Sequence, residues 1–248
     1  VDRIEKQMID ITILHWKISP YFICFLLSFV LAYVYVAWYL KKAGVKGNHI
    51  FYSELLNTVL ALYFGAFYTF IVQLSEQGKV ETFGFSSLGG MAGIMLGVRI
   101  FTKISKEHKM EFWTAYVLAL GLMYAVSKLG CFFAGCCGGI RYQGPGSVRY
   151  LDNGTTGAWQ FPVQLAESIC FILVFLLLHR MAKRKQRSMI PKSLLLYAIL
   201  KFALDYLRYY ESRRIFSANQ WGCLLVAVSV LLYEAVRQIK QKVNSKVI

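Results

Sequence analysis

Charge is scarce in this sequence: 17% of its 248 residues are Asp, Glu, Lys or Arg, where a soluble domain carries about a quarter. Acidic charge is the scarcer sign, with 13 Asp and Glu against 28 Lys and Arg. That balance argues against an ordinary soluble enzyme, and disordered and collagenous chains are excluded with it. Histidine is scarce as well. His15, His49, His108 and His179 fall in loops or at the ends of apolar runs. None is placed as a base beside a cysteine, so nothing supports a Cys–His hydrolase. No repeat at a solenoid period and no low-complexity tract is found.

What is present is apolar. Hydrophobic residues make up 57% of the chain, and the mean hydropathy is +0.48. Crossing a bilayer takes about 20 apolar residues, so seven crossings use roughly 140. Apolar runs mark seven helices, at residues 20–40, 55–74, 84–104, 112–128, 161–179, 194–210 and 220–234. The expected fold is therefore all-α, a polytopic membrane protein of seven transmembrane helices forming one domain over residues 1–248. The first, fourth and seventh runs hold almost no charge, whereas the third carries Arg99, the fifth Glu167, and the sixth Lys201, Asp205 and Arg208. No cleavage site follows the first run, which is expected to remain as an uncleaved anchor.

The net charge of +15 would suggest nucleic acid in a soluble protein. In a membrane protein it reads as basic loops facing anionic cytoplasmic lipid, and no nucleic-acid partner is expected. Lys and Arg in alternate loops number 16 on one side and 10 on the other, with six of the 16 between Arg180 and Lys192. The positive-inside rule then places the N-terminus outside and the C-terminus in the cytoplasm, in the cell (inner or plasma) membrane. A Gly-rich loop over residues 129–160 faces the outer side. Eight of the 19 glycines lie between Gly130 and Gly157, and irregular backbone at membrane depth persists only where it is buried or lines a cavity.

Four constellations carry chemical interest. In the stretch 128–139, Lys128 and Cys131 share a helix face, Cys136 and Cys137 follow, and Gly130, Gly135, Gly138 and Gly139 let backbone approach a ligand. A cation beside a thiol favours thiolate, and successive glycine N–H groups suit an anion. The plainer reading is packing glycines and inert thiols. A metal site and a cofactor are not expected, because C-x4-C-C lacks a nearby fourth ligand. Cys24, Cys170 and Cys223 sit in apolar runs, where a thiol behaves as a small hydrophobe. In the sixth run, Tyr197, Lys201, Asp205 and Arg208 fall on one helix face, as a functional cavity or a buried ion pair. Gln164 and Glu167 share a face at the start of the fifth run, near Gln160 and Pro162. In the third, Gly89, Gly93 and Gly97 make a smooth stripe suited to helix packing. Glu54 and Asn57 open the second run, and Arg213 and Arg214 could hold a lipid phosphate at the outer rim.

Taken in order, these residues resemble the prolipoprotein diacylglyceryl transferase family. The likeness rests on the Gly-rich signature at 128–139, P-x-Q-L-x-E at 162–167, Tyr-x3-basic-Phe-x2-acidic-x2-Arg at 197–208, and Ser-x-x-Gln at 217–220. It implies a membrane-embedded transferase that takes phosphatidylglycerol from the membrane and moves its diacylglyceryl group to a preprolipoprotein cysteine, or to another acceptor, releasing glycerol phosphate. The alternative is a non-catalytic phospholipid-binding protein on the same scaffold. The sequence departs from the family pattern at several points. Lys128 stands where the family has Arg, Cys131, Ala134 and Cys136 replace two Asn and a Glu, and Leu88 occupies the His position before Gly89 and Gly90. Lys201 and Asp205 stand for Arg and Glu. The catalytic residues so implied are Lys128, Cys131, Cys136, Glu167, Lys201 and Asp205. Substrate contacts are expected from Tyr21, Gly89, Gly90, Gly135, Arg141, Gln164, Tyr197, Arg208 and Gln220. Proton removal would fall to Glu167 or Asp205, unless Cys131 or Cys136 is itself the nucleophile.

Overall fold

Seven helices carry the chain in the structure, a computed structural model that describes residues 4–7, 11–13, 16–80, 84–152, 155–182, 189–210 and 215–244. Helix α1 (Pro20–Lys42) begins where the Ser19 side chain accepts from the Tyr21 backbone N–H, with Pro20 in its first turn. Both choices satisfy a helix start at no cost in hydrogen bonds. Ser28, Ala32, Val36 and Leu40 form its one buried stripe, while Val30, Val34 and Trp38 stay exposed. The others are α2 (Gly47–Gln77), α3 (Ser87–Ser105), α4 (Lys109–Ala134), α5 (Val163–Ala182), α6 (Met189–Asp205) and α7 (Ala218–Asn244).

Helix α4 is the axis of the bundle. It packs against α1 and α5, α2 packs on α3, and α6 on α7. Residues 115–121 of α4 are all buried, so no lipid-facing stripe interrupts that stretch. Conversely α7 leaves Leu225, Val228, Leu232 and Ile239 exposed, a surface that water would not tolerate. Among the described residues six helices are long and apolar enough to cross a membrane, which makes this a multi-pass membrane protein. The exception is α6, with 17 residues and Lys192, Lys201 and Asp205 among them.

Helix ends differ from the hydropathy reading wherever polar residues continue a helix. Helix α2 starts at Gly47 rather than 55, because His49, Ser53 and Glu54 are helical despite their polarity. Helix α7 runs on to Asn244 through Arg237, Lys240 and Lys242. Helix α6 starts earlier and stops at Asp205, so Arg208 lies in the turn after it and not on its face. Pro162 stands just before α5, which begins at Val163. The loop expected from 129 begins at 135, since α4 continues through Cys131 to Ala134 and ends at Gly135 with φ +69°. That left-handed position suits glycine, which has no Cβ to clash.

The all-α expectation also needs five short strands: β1 (Ile4–Gln7), β2 (Ile11–Ile13), β3 (Trp16–Ile18), β4 (Val148–Asp152) and β5 (Thr155–Thr156). Strand β1 pairs in parallel with β4, and β4 with β5 in antiparallel register, while β2 pairs antiparallel with β3. The N-terminal segment is thereby joined to the loop after α4 at one end of the bundle. Within α3, a Cβ on Gly89 or Gly93 would meet the Phe64 or Leu60 carbonyl of α2 inside contact distance. The glycine stripe is a packing surface.

Candidate functional site

Glu167 is completely buried one turn into α5, and three basic groups reach it from two directions. Lys201 Nζ of α6 donates to Oε1 at 2.7 Å, Lys128 Nζ of α4 lies 3.4 Å from Oε2, and Arg208 donates to Oε2 at 3.4 Å. Tyr124, one turn before Lys128 on α4, donates its hydroxyl to Oε1 at 3.0 Å. Its ring lies under both ammonium groups, 5.1 Å from Lys128 and 5.9 Å from Lys201, a cation–π geometry.

Asp205 is the second carboxylate of the cluster. It pairs with Lys201 at 2.9 Å and lies 3.9 Å from Arg208 Nε. Its other oxygen accepts from the Ser217 and Tyr210 hydroxyls. Three cations against two carboxylates leave one positive charge in excess, in a site from which water is largely excluded. Such a centre is preorganised to bind a phosphate and to stabilise charge that develops on it.

Two cavities flank Tyr124. One, of about 300 Å³, is lined by Tyr21, Phe25, Lys128, Arg208 and the three thiols Cys131, Cys136 and Cys137. The other, about 610 Å³, is almost wholly apolar, lined by side chains such as Phe64, Met95, Phe171 and Val226, with Lys201 among them. A charged end and an apolar trough meeting at one ring suit an amphipathic molecule.

The thiol cavity is shaped by the chain reversal after α4. Gly135 ends the helix, Cys137 itself sits at φ +58°, and Gln164 of α5 donates to the Cys136 carbonyl at 2.7 Å. The three sulfurs come within 4.8 Å of one another. Hydrogen bonds from the Cys131 and Cys136 thiols hold Cys137 below the ordinary thiol range, against burial and helped by Lys128 and Arg208. The turn is then tied to the end of α6, where Tyr209 N–H donates to Gly138 O and Ile140 N–H to Leu207 O. This tie carries Arg208 back to Glu167.

The structure therefore brings together Lys128, Cys131, Cys136, Glu167, Lys201, Asp205, Tyr21, Gln164 and Arg208. Gly90 lines the thiol cavity and Gly89 the apolar one. Tyr197 also lines the apolar cavity, but its hydroxyl turns to the Leu118 carbonyl and its ring stacks on Phe171. Gln220 is occupied in a capping box: its side chain accepts from Ser217 N–H while Ser217 Oγ accepts from Gln220 N–H, both at 3.0 Å. Gly135 packs on Tyr150. Arg141 stands apart, exposed and bridged through its backbone to Gln160. Arg213 and Arg214 lie outside the described residues.

Sequence reasoning missed Tyr124, Tyr210 and Ser217 as partners of the carboxylates. Tyr124 had a signal, its i,i+4 spacing to Lys128 and seven-residue spacing to Cys131 on one face of α4. Tyr210 reaches Asp205 through the turn after α6, and Ser217 from the start of α7.

Comparisons with known proteins identify a family. The prolipoprotein diacylglyceryl transferase family matches residues 8–235. The phosphatidylglycerol–prolipoprotein diacylglyceryl transferase of Helicobacter hepaticus is 30% identical over 135 residues, covering 52% of this chain and 46% of that enzyme. The enzyme of Clostridium tetani is 24% identical over 178 residues, 68% of this chain and 72% of its own length. That of Tolumonas auensis is 27% identical over 162 residues, 58% of each chain. The match thus spans less than half of the Helicobacter hepaticus enzyme and more of the other two.

Proposed function

The chain belongs to the prolipoprotein diacylglyceryl transferase family, and we propose on that footing that it moves a diacylglyceryl group from phosphatidylglycerol to a cysteine thiol. The observation that carries the reading is the meeting of a buried, net-positive cluster with a large apolar cavity at Tyr124. Acyl chains occupy the apolar cavity, and the phosphate approaches Lys128, Lys201 and Arg208. Glu167 holds the three bases converged before substrate arrives, so little reorganisation is needed at the moment of reaction. As the glycerol C–O bond breaks, negative charge grows on the departing glycerol phosphate, and the surplus cation answers it. The incoming thiol lies in the cavity of Tyr21 and the cysteines, on the other side of Tyr124. Lys128, Cys131, Cys136, Glu167, Lys201 and Asp205 remain the candidate catalytic groups. Tyr21, Gly89, Gly90, Gln164, Tyr197 and Arg208 are the candidate lipid contacts. Gly135, Arg141 and Gln220 act through the loop and the α7 cap. The N-terminus and the loop after α4 face outward, in the cell membrane.

Incubation of the purified protein with glycerol-labelled and acyl-labelled phosphatidylglycerol, plus a lipobox peptide, tests this reading. Acyl label on the peptide cysteine with glycerol phosphate released is the expected result. One observation favours a second reading, a phospholipid-binding protein without chemistry: every base of the cluster already has a carboxylate partner. Lipid that co-purifies and exchanges intact, with no label on any thiol, would establish that reading instead.

A further inference from the structure

Cys131, Cys136 and Cys137 come from two sides of a chain reversal, yet their sulfurs lie within 4.8 Å of one another. A tetrahedral zinc site with Zn–S near 2.3 Å places its sulfurs about 3.8 Å apart, so small side-chain movements close the gap. Cys137 keeps a left-handed φ of +58°, uncommon for a non-glycine residue, which turns the chain back toward Cys131. Gln164 pins the same turn from α5 through the Cys136 carbonyl. Among the described residues no fourth ligand joins the three thiols, and Cys131, Cys136 and Cys137 all border the cavity shared with Tyr21, Lys128 and Arg208.

We infer that Cys131, Cys136 and Cys137 form a three-thiolate site for a soft d10 cation of the zinc class, with its open fourth position facing the cavity. Three protein ligands and one vacancy are the arrangement of a zinc that acts on substrate, as opposed to a closed structural site. The ligand that suits the vacancy is a further thiol. Resting on the transferase reading, this assigns the site to the acceptor cysteine. On binding, the acceptor S–H loses its proton to water at the cavity mouth. The resulting thiolate attacks the diacylglycerol carbon, forming C–S as C–O breaks. The electron pair leaves with glycerol phosphate, and the thioether, a weak ligand, departs. No oxidant or reductant is needed.

The experiment uses the full chain in detergent, stripped of metal under reducing conditions and then dialysed against zinc. Elemental analysis should find one zinc per chain, and none in the C131S/C136S/C137S variant. If the triple variant fails to fold, the single variant Cys137→Ser should weaken zinc binding at least tenfold. With cobalt as the probe, a sulfur-to-cobalt charge-transfer band should appear, and a lipobox peptide with cysteine should shift the visible bands where its serine analogue does not. Wild-type protein that binds no more zinc than the variants overturns the site, as does a disulfide among the three thiols in freshly isolated membranes. Cobalt bands indifferent to the cysteine peptide overturn the acceptor role. Lipid transfer that runs undiminished in the triple variant overturns the inference while leaving the transferase intact. Zinc binding and a thiol response without any lipid transfer would instead reject the transferase.

Discussion

Glu167 carries more of the site than any other residue, because three cations and a tyrosine hydroxyl depend on its two oxygens. Removing one partner from a buried ionic cluster costs about 3–5 kcal/mol, chiefly because the remaining charges are left uncompensated. Glu167→Gln should therefore lower stability by about that amount, measured by thermal unfolding in detergent, and abolish lipid transfer. Tyr124→Phe leaves the ring under both lysines and removes only the hydroxyl. The loss of one hydrogen bond to a charged group is worth about 1.5–3 kcal/mol, so this variant should fold, unfold at a lower temperature and transfer lipid more slowly. The comparison separates the hydroxyl from the cation–π platform. At Lys201 the charge itself is the issue. Lys201→Met should reduce transfer at least tenfold, and Lys201→Arg should restore part of it if a cation near Glu167 is what the reaction requires. Equal activity of the Met and Arg variants would show that the charge is irrelevant.

Elements decide how these residues meet, and there the sequence was informative only up to a point. Spacing within one helix was legible: Lys201 and Asp205 are four apart and do pair, at 2.9 Å. Glu167 was legible as an apolar-span carboxylate, and the cysteine cluster as an unusual composition. The partner helix was not legible, because periodicity says which face is polar but not which other face it meets. Ser217 shows the limit. It enters the sequence only as part of Ser-x-x-Gln, whereas in the structure it caps α7 and its hydroxyl also serves Asp205 of α6. Ser217→Ala removes both roles. A cap alone is worth about 1 kcal/mol, so a larger loss of stability, with a matching fall in transfer, should be observed if the bond to Asp205 also matters. The α3 stripe makes the opposite kind of test. At Gly93 even a methyl group would meet the backbone of Leu60 and Ala61. Gly93→Leu should push α2 from α3 and cost at least the 1–3 kcal/mol typical of overpacking. Thermal unfolding in detergent measures that loss.

At the scale of the whole molecule, the structure changes the charge count on which orientation rests. Lys128, one of the 10 basic residues counted on the outer side, is helical and buried against Glu167, which leaves 9 there against 16, and the orientation rests on that count. Pairing of β1 with β4 adds a geometric constraint, since it places the N-terminal segment and the loop after α4 at the same end. Both must face the same compartment, and the turn between α3 and α4 must face the other. Single cysteines at Gly144 and Glu107, introduced into a chain whose native cysteines are replaced by serine or alanine, can test this directly. A membrane-impermeant maleimide should label Gly144→Cys on intact cells, with Glu107→Cys labelled only after the membrane is opened. The reverse pattern would turn the bundle over. It would also move the cysteine cavity, Tyr21 and the basic cluster around Glu167 to the cytoplasmic face, where an acceptor thiol would have to arrive before export, not after it.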